Sequence, residues 1–200
     1  MNVARLDDPQ LMDRIGDLAD LLVDTVADGA SVGFLGPLGR TAALAWWKER
    51  ACAVGDGRLA VWVACRDGRT VGTVSLAFAD KPNSRHRAEL VKLMVHRDAR
   101  GQGLGRRLLA TAEEAATDAG VTLLHLDTET DSPAERLYDS AGWTRAGVIP
   151  DYAASPAGVL SPRRSTSSTC DRSGRQEGSP VMGVSISFIS VTTEELDRAE

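Results

Sequence analysis

At 200 residues the chain suits one domain with a full core plus an appendage, and its 42% hydrophobic and 26% charged residues exclude an intrinsically disordered protein. No apolar run approaches the ~20 residues of a bilayer span, so no membrane association is expected, and the net charge of −5, without a face of clustered Lys and Arg, argues against a nucleic-acid partner. The three cysteines, Cys52, Cys65 and Cys170, form neither a CxxC pair nor a Cys/His cluster, which excludes a disulfide framework or a structural zinc.

The amino terminus, MNVARLDD, lacks the apolar core of a secretory signal, so a cytoplasmic protein is expected. Asp8-Pro9 reads as an N-cap with a first-turn proline, and Leu11, Ile15, Leu18, Leu22 and Val26 recur at helical spacing, predicting an amphipathic helix. A glycine-rich loop over 29–39 leads to a second helix over 41–54, closed by Gly55, in which Trp46 and Trp47 are expected to pack in the core or wall a cleft. Two β-rich runs over 59–65 and 70–78, joined through Asp67-Gly68, predict an antiparallel hairpin. A third strand over 88–95 runs into the segment RGQGLG at 100–105 and a helix over 104–119, stopped by Gly120. A strand over 123–127, a helix capped at Ser132-Pro133 and ending at 140, and extended structure over 143–148 complete the order, which describes an α/β (α+β) sandwich about a central sheet. After Pro162 the composition turns to Arg, Ser and Thr, so order is expected to end near 160, giving a domain over 1–160 and an atypical, largely disordered tail over 161–200. Within that tail, VSISFISV at 184–191 reads as one strand and 192–200 as the start of a helix.

The chemistry concentrates between Arg100 and Gly105, where three glycines, Gly101, Gly103 and Gly105, alternate at a strand-to-helix turn. Without side chains there, successive N–H groups face one small volume, and the following helix adds the partial positive charge of its N-terminus, making a phosphate site. Arg100, Arg106 and Arg107 can supplement it. A nucleoside-triphosphate loop requires Gly-Lys-Ser/Thr where this chain has Gly105-Arg106-Arg107, and a dinucleotide fold places its glycine turn after the first strand of a parallel sheet rather than after a hairpin. His86, His96 and His125 have no metal-ligand spacing, so no metal is expected.

The segment LVKLMVHRDARGQGLGRRLL resembles the GNAT N-acetyltransferase family in its R-x-x-G-x-G loop and the apolar strand before it. Upstream SVGFLGPL, VGTV and NSRHRAELVKL, and downstream LLHLDTETDSPAERLYDSAGW and GVIPDYA, are similar to the subgroup containing tabtoxin resistance proteins, so the resemblance covers about 1–160. It implies a mixed, mostly antiparallel central sheet flanked by helices, with acetyl-CoA as co-substrate. It further implies that the pantetheine arm pairs along Leu93, Met94 and Val95, and that the pyrophosphate sits on Arg100, Gly101, Gly103, Leu104 and Gly105, with Arg106 beside them. Ser132 occupies the place where many members hold the pantetheine with Asn, and Tyr138 the place of the tyrosine general acid.

Acetyl transfer from a thioester to an amine requires a base, a donor for the developing oxyanion and a proton for the thiolate. Glu89 and Asp127, on neighbouring strands, are the candidate bases, a strand N–H near Met94 the oxyanion donor, and His86 and Trp46 candidate substrate contacts. The expected reaction is acetylation of a primary amine on a small molecule, as in toxin or antibiotic detoxification, by a monomer or homodimer. The alternatives are acetylation of a protein N-terminus or lysine, and an acyl-CoA-binding module without catalysis. One departure is expected: such proteins finish with an aromatic strand after a motif like DYAASPAGVL, whereas SPRRSTSS follows here with no Phe or Tyr until Phe188. The last strand is therefore expected to be altered or missing, as after a reading-frame change.

Overall fold

The computed structural model describes residues 2–170. Its first helix, α1 (Asp8–Ala27), begins with a reciprocal cap in which the Asp7 carboxylate accepts from the Gln10 N–H at 2.8 Å and the Gln10 side-chain oxygen accepts from the Asp7 N–H at 3.0 Å. The cap thus lies one residue before the expected Asp8. Leu11, Leu18, Leu22 and Val26 are buried along one stripe, as their spacing requires. Asp7→Ala is expected to cost about 1 kcal/mol in urea unfolding, because it leaves first-turn N–H groups to water.

The second predicted helix is two, α2 (Arg40–Glu49) and α3 (Ala51–Gly55). Arg50 makes the break: its N–H donates to Trp47 O at 3.0 Å in a tightened turn, while its guanidinium donates to Trp46 O at 3.1 Å, a carbonyl that would have continued the helical ladder. Trp47 is fully buried with its indole N–H donating to Leu18 O at 3.1 Å, which fixes α2 against α1.

Among the described residues seven strands form one sheet: β1 (Val3–Leu6), β2 (Leu59–Arg66), β3 (Arg69–Phe78), β4 (Arg87–Val95), β5 (Leu123–Glu129), β6 (Thr144–Ala154) and β7 (Leu160–Thr169), ordered β1-β2-β3-β4-β5-β7-β6. All neighbours are antiparallel except β4 and β5, whose connection carries α4 (Leu104–Asp118). The β2–β3 turn takes its two-residue form because Asp67 (φ 50°) and Gly68 (φ 80°) both accept left-handed backbone. The run LAVWVA in β2 is apolar throughout because both sheet faces are covered. Ala60, Trp62 and Ala64 join the core under α4 and α5 (Pro133–Ser140), and Leu59, Val61 and Val63 join the core under α1 to α3. This is the expected mixed α/β fold. No helix among the described residues is long and apolar enough to cross a membrane.

Two corrections concern strands. β1, unread in the sequence, is a four-residue edge held by pairing to β2 from Val3↔Ala64 to Leu6↔Val61. More consequentially, the expected end of order near 160 and the missing last strand do not hold: β7 is inserted between β5 and β6 and pairs with both. An interior strand is held by its two ladders, so the Ser, Thr and Arg residues that read as a linker are sufficient. Thr166 and Arg163 are buried, and Thr166 Oγ1 donates to Thr144 O at 2.9 Å. The strand expected at 184–191 and the helix at 192–200 lie outside the described residues.

Candidate active site

β4 and β5 pair only at Arg87↔Leu123, Ala88↔Leu124 and Glu89↔His125, although β4 continues to Val95 and β5 to Glu129. On its other side β4 slips against β3. Thr73 opposes Met94 but Ser75 opposes Val91, so Lys92 and Leu93 stand against Val74 alone. Lys92 takes a φ of 54° at this bulge. A bulge bends its strand, and here the bend carries β4 away from β5 and opens a wedge in the sheet.

A cavity of about 310 Å³ fills the wedge, walled by Glu89, Lys92 and Leu93 of β4, Asp127 of β5, Tyr138 of α5 and Arg163 of β7, with Tyr152 of β6 at its rim. The expected bases and acid thus converge on one space. Burial, followed by the charge of Asp127, raises the pKa of Glu89, while Lys92 and Arg87 oppose that shift. Asp127 pairs with the Arg163 guanidinium at 3.2 Å. Burial, then Asp127, pushes the Tyr138 phenol well above its ordinary value, and its ring lies 5.4 Å from that of Trp143. Asp127, more than burial, raises the pKa of Tyr152.

The backbone of β4 alternates its hydrogen-bonding direction. The His96 N–H donates to Val71 O of β3 at 2.9 Å, and a Cβ placed on Gly72 would lie 3.3 Å from Met94 O, so Met94 and His96 face β3. Val95 O instead accepts from Arg100 Nε at 3.0 Å. By that alternation the N–H groups on the wedge side are those of Leu93 and Val95, the two residues next to Met94; the Met94 side chain is buried in the core.

At the open end of the wedge a single 3₁₀ turn (Arg97–Ala99) leads to the glycine segment. Gly101 (φ 72°) and Gly103 (φ 73°) are left-handed, and a Cβ on either would meet nothing within 4 Å. Gly103 is the N-cap of α4, with no capping side chain and no acidic residue in the first turn, so the first N–H groups and the helix dipole are presented together. Leu104 is buried beneath, and Gly105 packs toward Leu137. The arginines are committed elsewhere than their sequence position suggested: Arg100 pairs with Asp28, and Arg106 donates to Ser140 O at 2.8 Å, tying α4 to α5.

Three other expected site residues fall outside the cavity wall. His86 is exposed at the closed end of the β4–β5 pair, where its carbonyl accepts from Thr122 N–H at 2.8 Å and Leu123 N–H at 3.2 Å. Ser132 serves α5: its Oγ caps Glu135 N–H at 3.1 Å and lies 3.4 Å from Thr128 Oγ1. Trp46 stands behind the wall, with Arg50 over its ring at 4.0 Å and Lys92 Nζ 4.9 Å from its centroid.

Lys92, Tyr152 and Arg163 were not anticipated. Lys92 carried a signal, being the one charge inside the apolar run LVKLMV, whereas Arg163 lay in the segment read as a tail. Arg163 is 7% exposed and also donates to Ser31 O at 3.1 Å and Ser31 Oγ at 2.7 Å, closing the cavity against the loop before α2. Among the described residues no group of three or more His, Cys, Asp or Glu is placed to hold a metal ion.

The acetyltransferase (GNAT) family profile matches residues 27–143. Human N-acetyltransferase 8B is 36% identical over 88 residues, covering 43% of this chain and 39% of the relative. Rat N-acetyltransferase 8 is 38% identical over 88 residues, covering 43% of this chain and 40% of the relative. The match therefore spans about two fifths of these relatives' own length. Among solved structures, a ribosomal-protein-alanine N-acetyltransferase from Brucella melitensis superposes with a TM-score of 0.66 at 24% identity over 84% of this chain and 99% of its own. A Salmonella typhimurium chain described as an acetyltransferase with its cofactor acetyl-CoA superposes with a TM-score of 0.68 at 20% identity, over 92% of this chain and 99% of its own. At those identities the superpositions establish the shared fold.

Proposed function

Because the chain belongs to the acetyltransferase (GNAT) family, we propose that it transfers the acetyl group of acetyl-CoA to a primary amine of a small molecule. The observation that carries this reading is the wedge between β4 and β5, which has an uncapped helix N-terminus at one end and a half-buried carboxyl and a buried phenol at the other. The N–H groups from Gly101 to Gly105 suit a pyrophosphate, and the edge at Leu93 and Val95, which β5 does not pair, suits the amides of a pantetheine arm, so the residues fit acetyl-CoA. Acetyl-CoA supplies the activated thioester.

Glu89, whose raised pKa brings it closer to that of an ammonium group, removes the proton that makes the amine a nucleophile. A Leu93 or Val95 N–H donates to the carbonyl oxygen as charge develops on it. The Tyr138 phenol returns a proton to the leaving thiolate. With a thiol pKa of about 8.5 that help is modest, so Tyr138→Phe is expected to lower kcat by only about tenfold, with the KM for acetyl-CoA unchanged. Enclosure supports a small acceptor: Gly36 N–H donates to Pro156 O at 2.8 Å and Arg163 holds Ser31, so the loop before α2 closes onto the β6–β7 hairpin. The resemblance to the tabtoxin resistance subgroup points the same way, and the catalytic unit extends through β7. A CoA-release assay with small primary amines and with N-terminal peptides decides the matter. Turnover with small amines is expected; acetyl-CoA binding without release, or release with peptides alone, refutes the reading.

A further inference from the structure

Lys92 presents an amine on the cavity wall that the reaction above does not use. Of the chain's three lysines, Lys48 and Lys81 are exposed, and only Lys92 is drawn into this wall by the bulge at its own backbone. Its Nζ donates to Val32 O at 2.7 Å and lies 4.9 Å from the Trp46 ring centroid and 5.4 Å from that of Phe34. Gly33 lies beside it, since a Cβ there would stand in ordinary contact with Nζ at 3.5 Å. Charged groups act on it from four directions: Glu89 on β4, Asp127 on β5, Arg163 on β7 and Arg50 between α2 and α3.

Burial, then the charge of Arg50, lowers the Lys92 pKa to about 8, against the opposing pull of Glu89 and Asp127. Near pH 8 roughly half of the molecules then carry a neutral amine, against less than about 1% for an ordinary lysine. In that form one N–H still donates to Val32 O while the lone pair is free. The next residue, Leu93, turns its N–H to the wedge, so nucleophile and oxyanion donor are neighbours on one strand.

We propose that Lys92 is a self-acetylation site, its Nζ taking the acetyl group of bound acetyl-CoA when no acceptor amine occupies the cavity. The inference rests on the acetyl-transfer reading. The Nζ lone pair attacks the thioester carbonyl carbon, the N–C bond forms and the C–S bond breaks with its electron pair leaving on sulfur. The proton lost from nitrogen passes, by way of Glu89 or solvent, to the thiolate, giving an amide on Lys92 and free CoA thiol; no further reactant enters. An amide is a poor acyl donor, so the group is retained. It removes the positive charge held over Trp46 and Phe34 and adds bulk to the acceptor space, making the modification a brake on the enzyme when acetyl-CoA is plentiful and amine scarce.

The full chain is incubated with acetyl-CoA at pH 8 without amine, and sites are quantified by peptide mass mapping, with binding followed by calorimetry in the same preparation. Lys92 is expected to be acetylated at least about tenfold faster than Lys48 or Lys81, given its larger neutral fraction and its position. Excess CoA thiol is expected to slow the Lys92 reaction about tenfold and leave the exposed lysines unaffected. Lys92→Arg is expected to remain unmodified at that peptide and to abolish the time-dependent loss of activity that wild type shows on preincubation. If the chain binds acetyl-CoA and turns over amines yet Lys92 is labelled no faster than the exposed lysines, or its labelling ignores CoA thiol, the proposal is wrong and the acetyltransferase reading stands. If the chain does not bind acetyl-CoA, both fall.

Discussion

Glu89→Gln is expected to lower kcat for amine acetylation by about 10²- to 10³-fold while acetyl-CoA affinity stays within about twofold. The amide matches the carboxylate in size and keeps an acceptor, so the loss isolates the proton-accepting role. Between the two carboxylates of the cavity, Glu89 is the better base. The Asp127 carboxylate is engaged by the Arg163 guanidinium at 3.2 Å, whereas burial, then the Asp127 charge, raises the pKa of Glu89 and favours its taking up a proton. The acidic limb of the wild-type kcat/KM profile should accordingly lie above the ordinary carboxylate range, and it should vanish in the variant. Stability moves the other way. A carboxyl whose folded pKa is raised above its unfolded value stabilises the fold most below the unfolded pKa, and that contribution is lost as pH rises through the folded pKa. Gln carries no charge at any pH, so Glu89→Gln is expected to be at least as stable as wild type in urea at pH 8, with the difference shrinking toward pH 4. Unchanged kcat in a folded variant would transfer the role to Asp127 or to water.

What was legible in the sequence follows from what is local. The α1 stripe, the Asp67-Gly68 turn, the apolar run of β2 and the glycine segment before α4 each carry their structure in their own spacing, because caps, turns and amphipathic faces depend on residues a few positions apart. β1 and β7 do not. Both exist through pairing with strands distant in sequence, and β7 has no apolar signature because two ladders rather than a hydrophobic face hold it in place. The break at Arg50 depends on where one guanidinium folds back, which periodicity does not encode.

The site divides in the same way. Glu89 and Asp127 were expected to share a cleft because they lie on neighbouring strands, and Tyr138 was expected there from the family resemblance; all three line one cavity, since a parallel pair with a crossover helix brings those ends together. His86 was misplaced because the wedge opens toward the C-terminal end of β4, away from the loop that precedes the strand. The roles suggested for Ser132, Arg100 and Arg106 met competing local partners: a helix cap for the first, Asp28 for the second, Ser140 for the third. Side-chain commitments of that kind are decided in three dimensions. Backbone ones, such as the N–H groups at Gly103, were visible from composition because only glycine leaves them bare.

Gly103→Val tests that backbone claim directly. Gly103 has a φ of 73°, a region where a β-branched residue is strained, and it is the N-cap whose amides open toward the wedge. Nothing stands within 4 Å of a Cβ there, so the Cβ itself displaces no protein atom. Its consequences are backbone strain, expected at about 1–2 kcal/mol in urea unfolding, and two methyl groups standing where a pyrophosphate would approach the N–H groups. Acetyl-CoA affinity measured by calorimetry is expected to fall roughly 30- to 100-fold. Gly120→Val supplies the control: it is left-handed too (φ 81°), equally open, and follows the other end of α4. It carries the same strain away from the wedge, so it is expected to lose comparable stability and keep wild-type affinity. Equal loss of affinity in both variants would mean that strain transmitted through α4, and not blocked N–H groups, governs binding. Wild-type affinity in Gly103→Val would mean that the pyrophosphate does not rest on this turn.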